Sequence, residues 1–235
     1  MIFFRTVVVP FEWLRLRAGV GLARLGVSPN VITLLGLPVY ATAGLLFACK
    51  QFSLAAIVLC FAGLTDVLDG AVARVSGRVT RFGAFLDSTV DRYCDAAVFG
   101  GIIYYYLSEG EPLQVCLGIS ALVGSLAISY ARARAECFIS SCRVGFFERP
   151  ERLVILVLGA LFHHMLIALW ILGTLTHWTV LARVAYTRRM LSARPAPKTN
   201  TFFGQLYHIL LWDFNRGSLQ YDLLAIVLLA VCVWG

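Results

Sequence analysis

Between Asp66 and Asp91 the chain sets four carboxylates, Asp66, Asp69, Asp87 and Asp91, into sequence otherwise apolar enough for a bilayer. One Asp at the centre of a membrane helix costs roughly 2.5–3.5 kcal/mol to insert, so four facing lipid would cost on the order of 10 kcal/mol. The fold must therefore turn them onto a wet cavity that binds something strongly positive.

The surrounding sequence is what makes these carboxylates costly. Of 235 residues, 60% are hydrophobic and 14% charged, against about 25% charged in an average soluble domain. Apolar runs recur along the whole length, so the expected class is an all-α polytopic integral membrane protein. At about 20 residues per crossing, six transmembrane helices are expected, near residues 31–49, 53–75, 83–107, 112–135, 152–165 with its flanks, and 167–188. The fifth is short.

Three segments follow. Residues 1–27 are not a signal peptide by pattern: Arg5 precedes only a brief apolar run with no small-residue cleavage site. Instead Trp13, Leu14, Leu16 and Leu22 alternate with Arg15, Arg17 and Arg24, which suits an N-terminal interfacial, amphipathic helix on an anionic membrane face. Residues 28–190 form the transmembrane domain. Residues 191–235 begin with a polar linker and end in an apolar stretch, 223–234, short for a crossing. That stretch reads as an extra C-terminal helix, truncated or interfacial.

Lys and Arg gather in the N-terminal segment, in 74–92, in 132–152 and from Arg183 onward, and six helices bring all four groups to one side. Excess Lys and Arg mark the cytosolic side. The expected location is an integral protein of a prokaryotic inner membrane, its Asp cluster open to the cytoplasm. The net charge of +7 then has a membrane explanation, with lipids rather than nucleic acid as the partner. The seven cysteines form no Cys-x2-Cys pair and read as small buried hydrophobes.

On helices, Asp66 and Asp69 share one face, and Asp87 and Asp91 share another, with Asp95 a turn further. The turn at Ser76-Gly77-Arg78 joins the two helices closely. Asp66 lies roughly 16 Å along its helix from Gly77 at 1.5 Å per residue, near headgroup depth. Carboxylates without His or Cys suit Mg2+, Mn2+ or Ca2+ and argue against zinc. Two such ions would neutralise the cluster and clamp a diphosphate for in-line displacement. Gly70, Ala73 and Gly83 would let a ligand approach, and Arg74 offers a planar fork to phosphate. The plainer alternative is an ion-pair network with Arg74, Arg78, Arg81 and Arg92. Intramembrane ionisable groups, however, are functional by default.

The spacing Asp66-x2-Asp69-Gly70-x2-Ala73-Arg74-x8-Gly83-x3-Asp87-x3-Asp91 resembles, position for position, the motif of the CDP-alcohol phosphatidyltransferase family. Pro29-Asn30-x2-Thr33 resembles that family's element at the start of its first span. The resemblance covers roughly residues 25–190. It implies six membrane helices, a homodimer and a CDP-linked lipid, usually CDP-diacylglycerol, held by Mg2+ or Mn2+ as two ions. It also implies that Asp66, Asp69 and Asp87 ligate metal, and that Asp91 both ligates metal and acts as the catalytic base. Asn30, Thr33, Gly70, Ala73, Arg74 and Gly83 would contact the CDP-lipid together with Asp66 and Asp69. The implied reaction is phospholipid biosynthesis: an acceptor hydroxyl displaces CMP.

Arg132 ends the fourth span, Arg152 follows in Glu148-Arg149-Pro150-Glu151-Arg152, and Arg183 closes the sixth. Convergent guanidinium groups would recognise a phosphate on the acceptor. These segments resemble those of phosphatidylinositol-phosphate synthases, which implies inositol phosphate, a phosphorylated polyol, as acceptor. Glycerol 3-phosphate, the acceptor of phosphatidylglycerophosphate synthases, is the alternative. Membrane prenyltransferases also use Asp-rich helices with Mg2+, and a divalent-cation transporter could use an Asp ring without catalysis.

Overall fold

The computed structural model describes residues 28–192 continuously, together with residues 17, 19–21, 24, 26, 226–227 and 230–233. Trp13, Leu14, Arg15, Leu16 and Leu22 of the expected interfacial helix, and nearly all of the tail, lie outside these residues. Within them, Arg17, Gly19–Gly21 and Arg24 are helical, as are Ile226, Val227 and residues 230–233.

The described residues contain six long helices and no strand: α1 Pro29–Ala48, α2 Phe52–Val75, α3 Arg81–Ser108, α4 Pro112–Ala135, α5 Arg149–Leu161 and α6 Met165–Leu191. The protein is an all-α polytopic membrane protein. Helices α1, α2, α4 and α6 are long and apolar enough to cross a membrane by length and composition. Helix α3 has the length, at 28 residues, but carries Asp87, Asp91, Arg92 and Asp95. Helix α5 has 13 residues, or about 20 Å at 1.5 Å per residue, against a hydrocarbon core of about 30 Å. It stops at Leu161, short of the expected Met165, because the chain turns at His163, whose φ is 60°.

The chain divides into two compact units, Met1–Glu109 and Gly110–Gly235. In the first, α1 packs against both α2 and α3 and carries the helix packing of the unit. The α1–α3 crossing has no room for side chains. A Cβ on Gly101 would run into the backbone of Gly44, and one on Gly44 would meet the Ala97 carbonyl. Small residues of this kind let membrane helices approach closely. The rest of the core is Ala-rich, with Tyr40 and Phe47 of α1 filling the larger spaces. Gly19 packs on α2, where a Cβ would lie 3.0 Å from that of Ala71.

Two backbone devices set the register of α2 against α3. Helix α2 ends with Gly77 at φ 65°. The Arg78 N–H donates to the Ala73 carbonyl at 3.0 Å and the Gly77 N–H to that of Arg74 at 3.4 Å. This is a Schellman ending, and it needs a residue that tolerates left-handed φ. Three residues later Thr80 caps α3, its hydroxyl accepting from the Gly83 N–H at 2.9 Å. At the unit's other end, Lys50 sits 3.3 Å from Glu109 and over the Tyr105 ring. Its pKa is raised, chiefly by the hydrogen bond and charge of Glu109.

In the second unit α6 packs against α4 and α5. Gly124 of α4 makes room for Thr176 of α6, whose side chain a Cβ would strike. Ser120 donates to the Gly173 carbonyl at 2.9 Å and meets His177 Nε2 at 3.1 Å. These contacts give His177 a place in helix packing.

Candidate active site

The first unit holds a cavity of about 190 Å³ at the α2–α3 turn. Asn30 and Thr33 reach it from α1, Asp69, Gly70, Ala73 and Arg74 from α2, and Gly83 and Asp87 from α3. The residues expected to contact a CDP-lipid are thus gathered on one wall, except Asp66. Arg78, named from sequence only in the turn and in the ion-pair alternative, also lines the cavity, as do three residues not singled out from sequence, Val79, Thr80 and Ala84. Thr80 carried a signal, since a Thr three residues before Gly83 is a natural N-cap.

The glycines have steric reasons to be there. A Cβ on Gly83 would lie 3.0 Å from Thr80 Oγ1 and 3.1 Å from Asn30 Oδ1. A Cβ on Gly70 would lie 3.5 Å from Arg74 Nη2, so the Arg74 guanidinium lies back over Gly70 toward the cavity.

The carboxylates of α2 are oriented from α1. Thr33 donates its hydroxyl to Asp69 Oδ2 at 2.6 Å, and Tyr40 donates to Asp66 Oδ2 at 2.6 Å. Thr33 and Tyr40 are two turns apart on α1, so they share a face. The pairing is antiparallel, the later α1 residue meeting the earlier α2 residue. Tyr40 is fully buried and Asp69 nearly so. Sequence reasoning missed Tyr40, because a Tyr in an apolar helix looks like core.

Asp87 shares the cavity wall with Asp69, and both Asp87 and Asp66 are near enough to act on its charge. Asp91 lies outside that wall, half-buried, with Arg92 Nη1 at 3.9 Å. Among the described residues no three Asp, Glu, His or Cys side chains, as they stand, close around a single ion position. The donor chemistry nevertheless fits a hard divalent cation. It consists of oxygens alone, and hydroxyl donors orient one oxygen of Asp66 and one of Asp69.

The second unit holds a cluster of guanidinium groups. Arg183 of α6 is only 2% exposed. Its Nε donates to the Val144 carbonyl at 3.1 Å and its Nη1 to that of Ile128 at 2.6 Å. Gly145, at φ 101°, allows this loop to press against α6, where a Cβ would collide with Thr179. Arg132 and Arg152 lie close enough to act on the Arg183 charge. Arg152 is buried, while Arg132 Nε contacts Glu136 Oε1 at 3.1 Å. Glu148 completes the cluster: its Oε1 lies 3.5 Å from Arg132 Nη1 and 3.9 Å from Arg183 Nη2. The three Arg expected from sequence are therefore together. The carboxylates between them, and the bonds from Arg183 to the backbone, were not anticipated.

The chain is 36% identical over 176 residues to the archaetidylinositol phosphate synthase of Pyrococcus horikoshii, covering 74% of this chain and 91% of that one. It superposes on the phosphatidylinositol phosphate synthase of Mycobacterium tuberculosis with CDP-DAG bound at a TM-score of 0.68 and 36% identity. That match covers 74% of this chain and 92% of that one. The same enzyme in complex with manganese and citrate also gives 0.68 and 36%, covering 74% and 88%. The pattern that defines the CDP-alcohol phosphatidyltransferases matches residues 26–178, a span that takes in the whole Asp motif and its cavity, and the chain belongs to that family of transferases.

Proposed function

We propose that the protein transfers a phosphatidyl group from CDP-diacylglycerol to a hydroxyl of inositol phosphate, releasing CMP. The observation that carries the donor half is the single cavity shared by Asn30 and Thr33 of α1, the Asp69–Arg74 turn of α2, and Gly83 and Asp87 of α3. The solved relative with bound CDP-DAG supports the same donor. Arg74 would face the diphosphate, and the spaces kept by Gly70 and Gly83 would admit it.

Asp66, Asp69, Asp87 and Asp91 would hold divalent cations, Mg2+ or Mn2+ and two in number. The manganese-bound relative supports dependence on a divalent cation. When bound, such ions supply charge neutralisation for the diphosphate. The protein's own steps are positioning and proton transfer. Asp91 takes the proton of the acceptor hydroxyl. The acceptor oxygen then bonds to the phosphorus bearing the diacylglycerol, and the bond from that phosphorus to the oxygen of CMP breaks. CMP leaves with the electron pair, and a phosphodiester lipid remains. Catalysis of this kind is mainly orientation and charge stabilisation.

The acceptor half rests on Arg132, Arg152 and Arg183. Guanidinium groups that converge suit a phosphate monoester and serve no purpose for an uncharged alcohol. The names of the relatives favour inositol phosphate over glycerol 3-phosphate. Residues 28–190 would be the catalytic domain, working as a homodimer in a prokaryotic inner membrane with the site facing the cytoplasm.

The test is an acceptor screen on the purified protein with CDP-diacylglycerol and Mg2+, reading CMP release. Inositol phosphate is expected to be used, with glycerol 3-phosphate, inositol and serine as comparisons. Preference for glycerol 3-phosphate would reassign the acceptor. Activity with serine alone would sink the role given to the Arg cluster, and release of pyrophosphate in place of CMP would point to a prenyltransferase.

A further inference from the structure

We propose that Arg78, which stands outside the Asp motif, binds the nucleotide half of the donor, its guanidinium lying flat against the cytosine ring. This rests on the reading of the first unit's cavity as the CDP-diacylglycerol site.

The backbone of Arg78 is fixed while its side chain is uncommitted. Its N–H donates to the Ala73 carbonyl at 3.0 Å, in the turn that Gly77 makes possible at φ 65°. The residue lines the cavity beside Arg74, Val79 and Thr80. Its side chain is exposed and, among the described residues, has neither a hydrogen bond nor an ion pair. An ion-pair network with the Asp cluster is therefore not what Arg78 serves. Because the turn is tied through the main chain, the side chain can be changed without loosening it.

Position along the cavity decides which part of the donor Arg78 meets. Asp69 and Asp87 share the wall with Arg74, whose guanidinium lies back over Gly70. From Asp69 to Val75, α2 rises about 9 Å at 1.5 Å per residue before the turn begins, a span that a nucleotide can bridge. The donor's acyl chains stay in the bilayer, so its nucleotide is the end that points along α2 toward the turn. With the diphosphate at Asp69, Asp87 and Arg74, the base arrives at Arg78, Val79 and Thr80.

The surface at that end suits a ring better than a second phosphate. Val79 is 69% exposed and offers apolar contact. The Thr80 hydroxyl already accepts from the Gly83 N–H. A planar guanidinium beside an apolar side chain matches the flat face of a base, on which Arg stacks. Recognition of phosphate calls instead for several donors converging on its oxygens. Lysine, a point charge without a plane, is no substitute in such a contact.

The purified wild type must first release CMP from CDP-diacylglycerol with Mg2+; if it does not, the donor reading itself falls. Wild type, Arg78→Gln and Arg78→Lys are then compared in detergent micelles at fixed free Mg2+. The readouts are the KM for CDP-diacylglycerol and the inhibition constants of CMP and inorganic pyrophosphate. Both variants are expected to raise the donor KM and the CMP constant about five- to tenfold, the worth of one stacking contact at an exposed position. The kcat, the pyrophosphate constant and the KM for inositol phosphate should stay where they are. A pyrophosphate constant that rises together with that of CMP, or a Lys variant that behaves as wild type, would show Arg78 serving phosphate charge and overturn the stacking role. A donor KM and CMP constant at wild-type values in Arg78→Gln would remove Arg78 from the site altogether.

Discussion

Tyr40 of α1, fully buried, donates its hydroxyl to Asp66 of α2 at 2.6 Å. With the Thr33–Asp69 bond two turns away, it makes α1 a template that presents the α2 carboxylates at a set angle. Helix α1 supplies no carboxylate, yet it determines how those of α2 point.

Tyr40→Phe removes that orienting bond and keeps the ring. If Asp66 ligates metal as proposed, loss of the partner behind it costs about ten- to hundredfold in metal affinity or activity. Titration of CMP release against Mn2+ or Mg2+ should show the curve moved to higher metal concentration. A superimposable curve would remove Tyr40 from the site.

Asp91→Asn should abolish CMP release while the protein stays folded. Amide for carboxylate preserves shape but removes the proposed base, a loss of at least about 10²–10⁴-fold for general-base catalysis. Turnover at the wild-type rate, with unchanged helical content by circular dichroism, would disprove the proton-transfer step.

Gly83→Ala puts a methyl group 3.0 Å from Thr80 Oγ1 and 3.1 Å from Asn30 Oδ1. The N-cap of α3 and the wall of the cavity would both have to shift. Unfolding should be easier by about 1 kcal/mol, the usual worth of a cap, and the KM for CDP-diacylglycerol should rise. Thermal melting in detergent and donor-dependent kinetics separate the two effects.

Arg183→Lys keeps the charge but cannot serve the Ile128 and Val144 carbonyls with one planar group. The substitution should cost about 1–3 kcal/mol of stability through an unmet buried acceptor. It should also raise the acceptor KM without touching that of the donor. A wild-type melting temperature would show that the two backbone bonds are dispensable.

Much of this was legible in the chain, for identifiable reasons. Long apolar runs dictate helices in a bilayer, and Pro29, Gly77 and Pro112 mark where they start and stop, so the element order follows from sequence. The Asp motif is legible because acidic groups in apolar sequence have no cheap alternative. What escaped was whatever looks ordinary in such a chain. Tyr40 resembles core, and Gly44 and Gly101 resemble any small membrane residues until their backbones are seen to meet. Glu148 belongs to loop sequence whose partners Arg132 and Arg183 are far away in the chain, and Glu136 looks like any polar residue at a helix end. Arg183 was legible as a cation, but its fastening to two carbonyls depends on the path of residues 136–148.

The turn between α2 and α3 has a consequence for how such a chain can vary. Its α2 end is tied by the Gly77 and Arg78 N–H groups and its α3 end by Thr80, so the link behaves as a ruler cut to length. One inserted residue, if α3 continued as a helix, would rotate everything beyond it by about 100° and carry Asp87 off the wall it shares with Asp69. The count from Ala73 to Gly83 is as much a part of the site as any side chain in it.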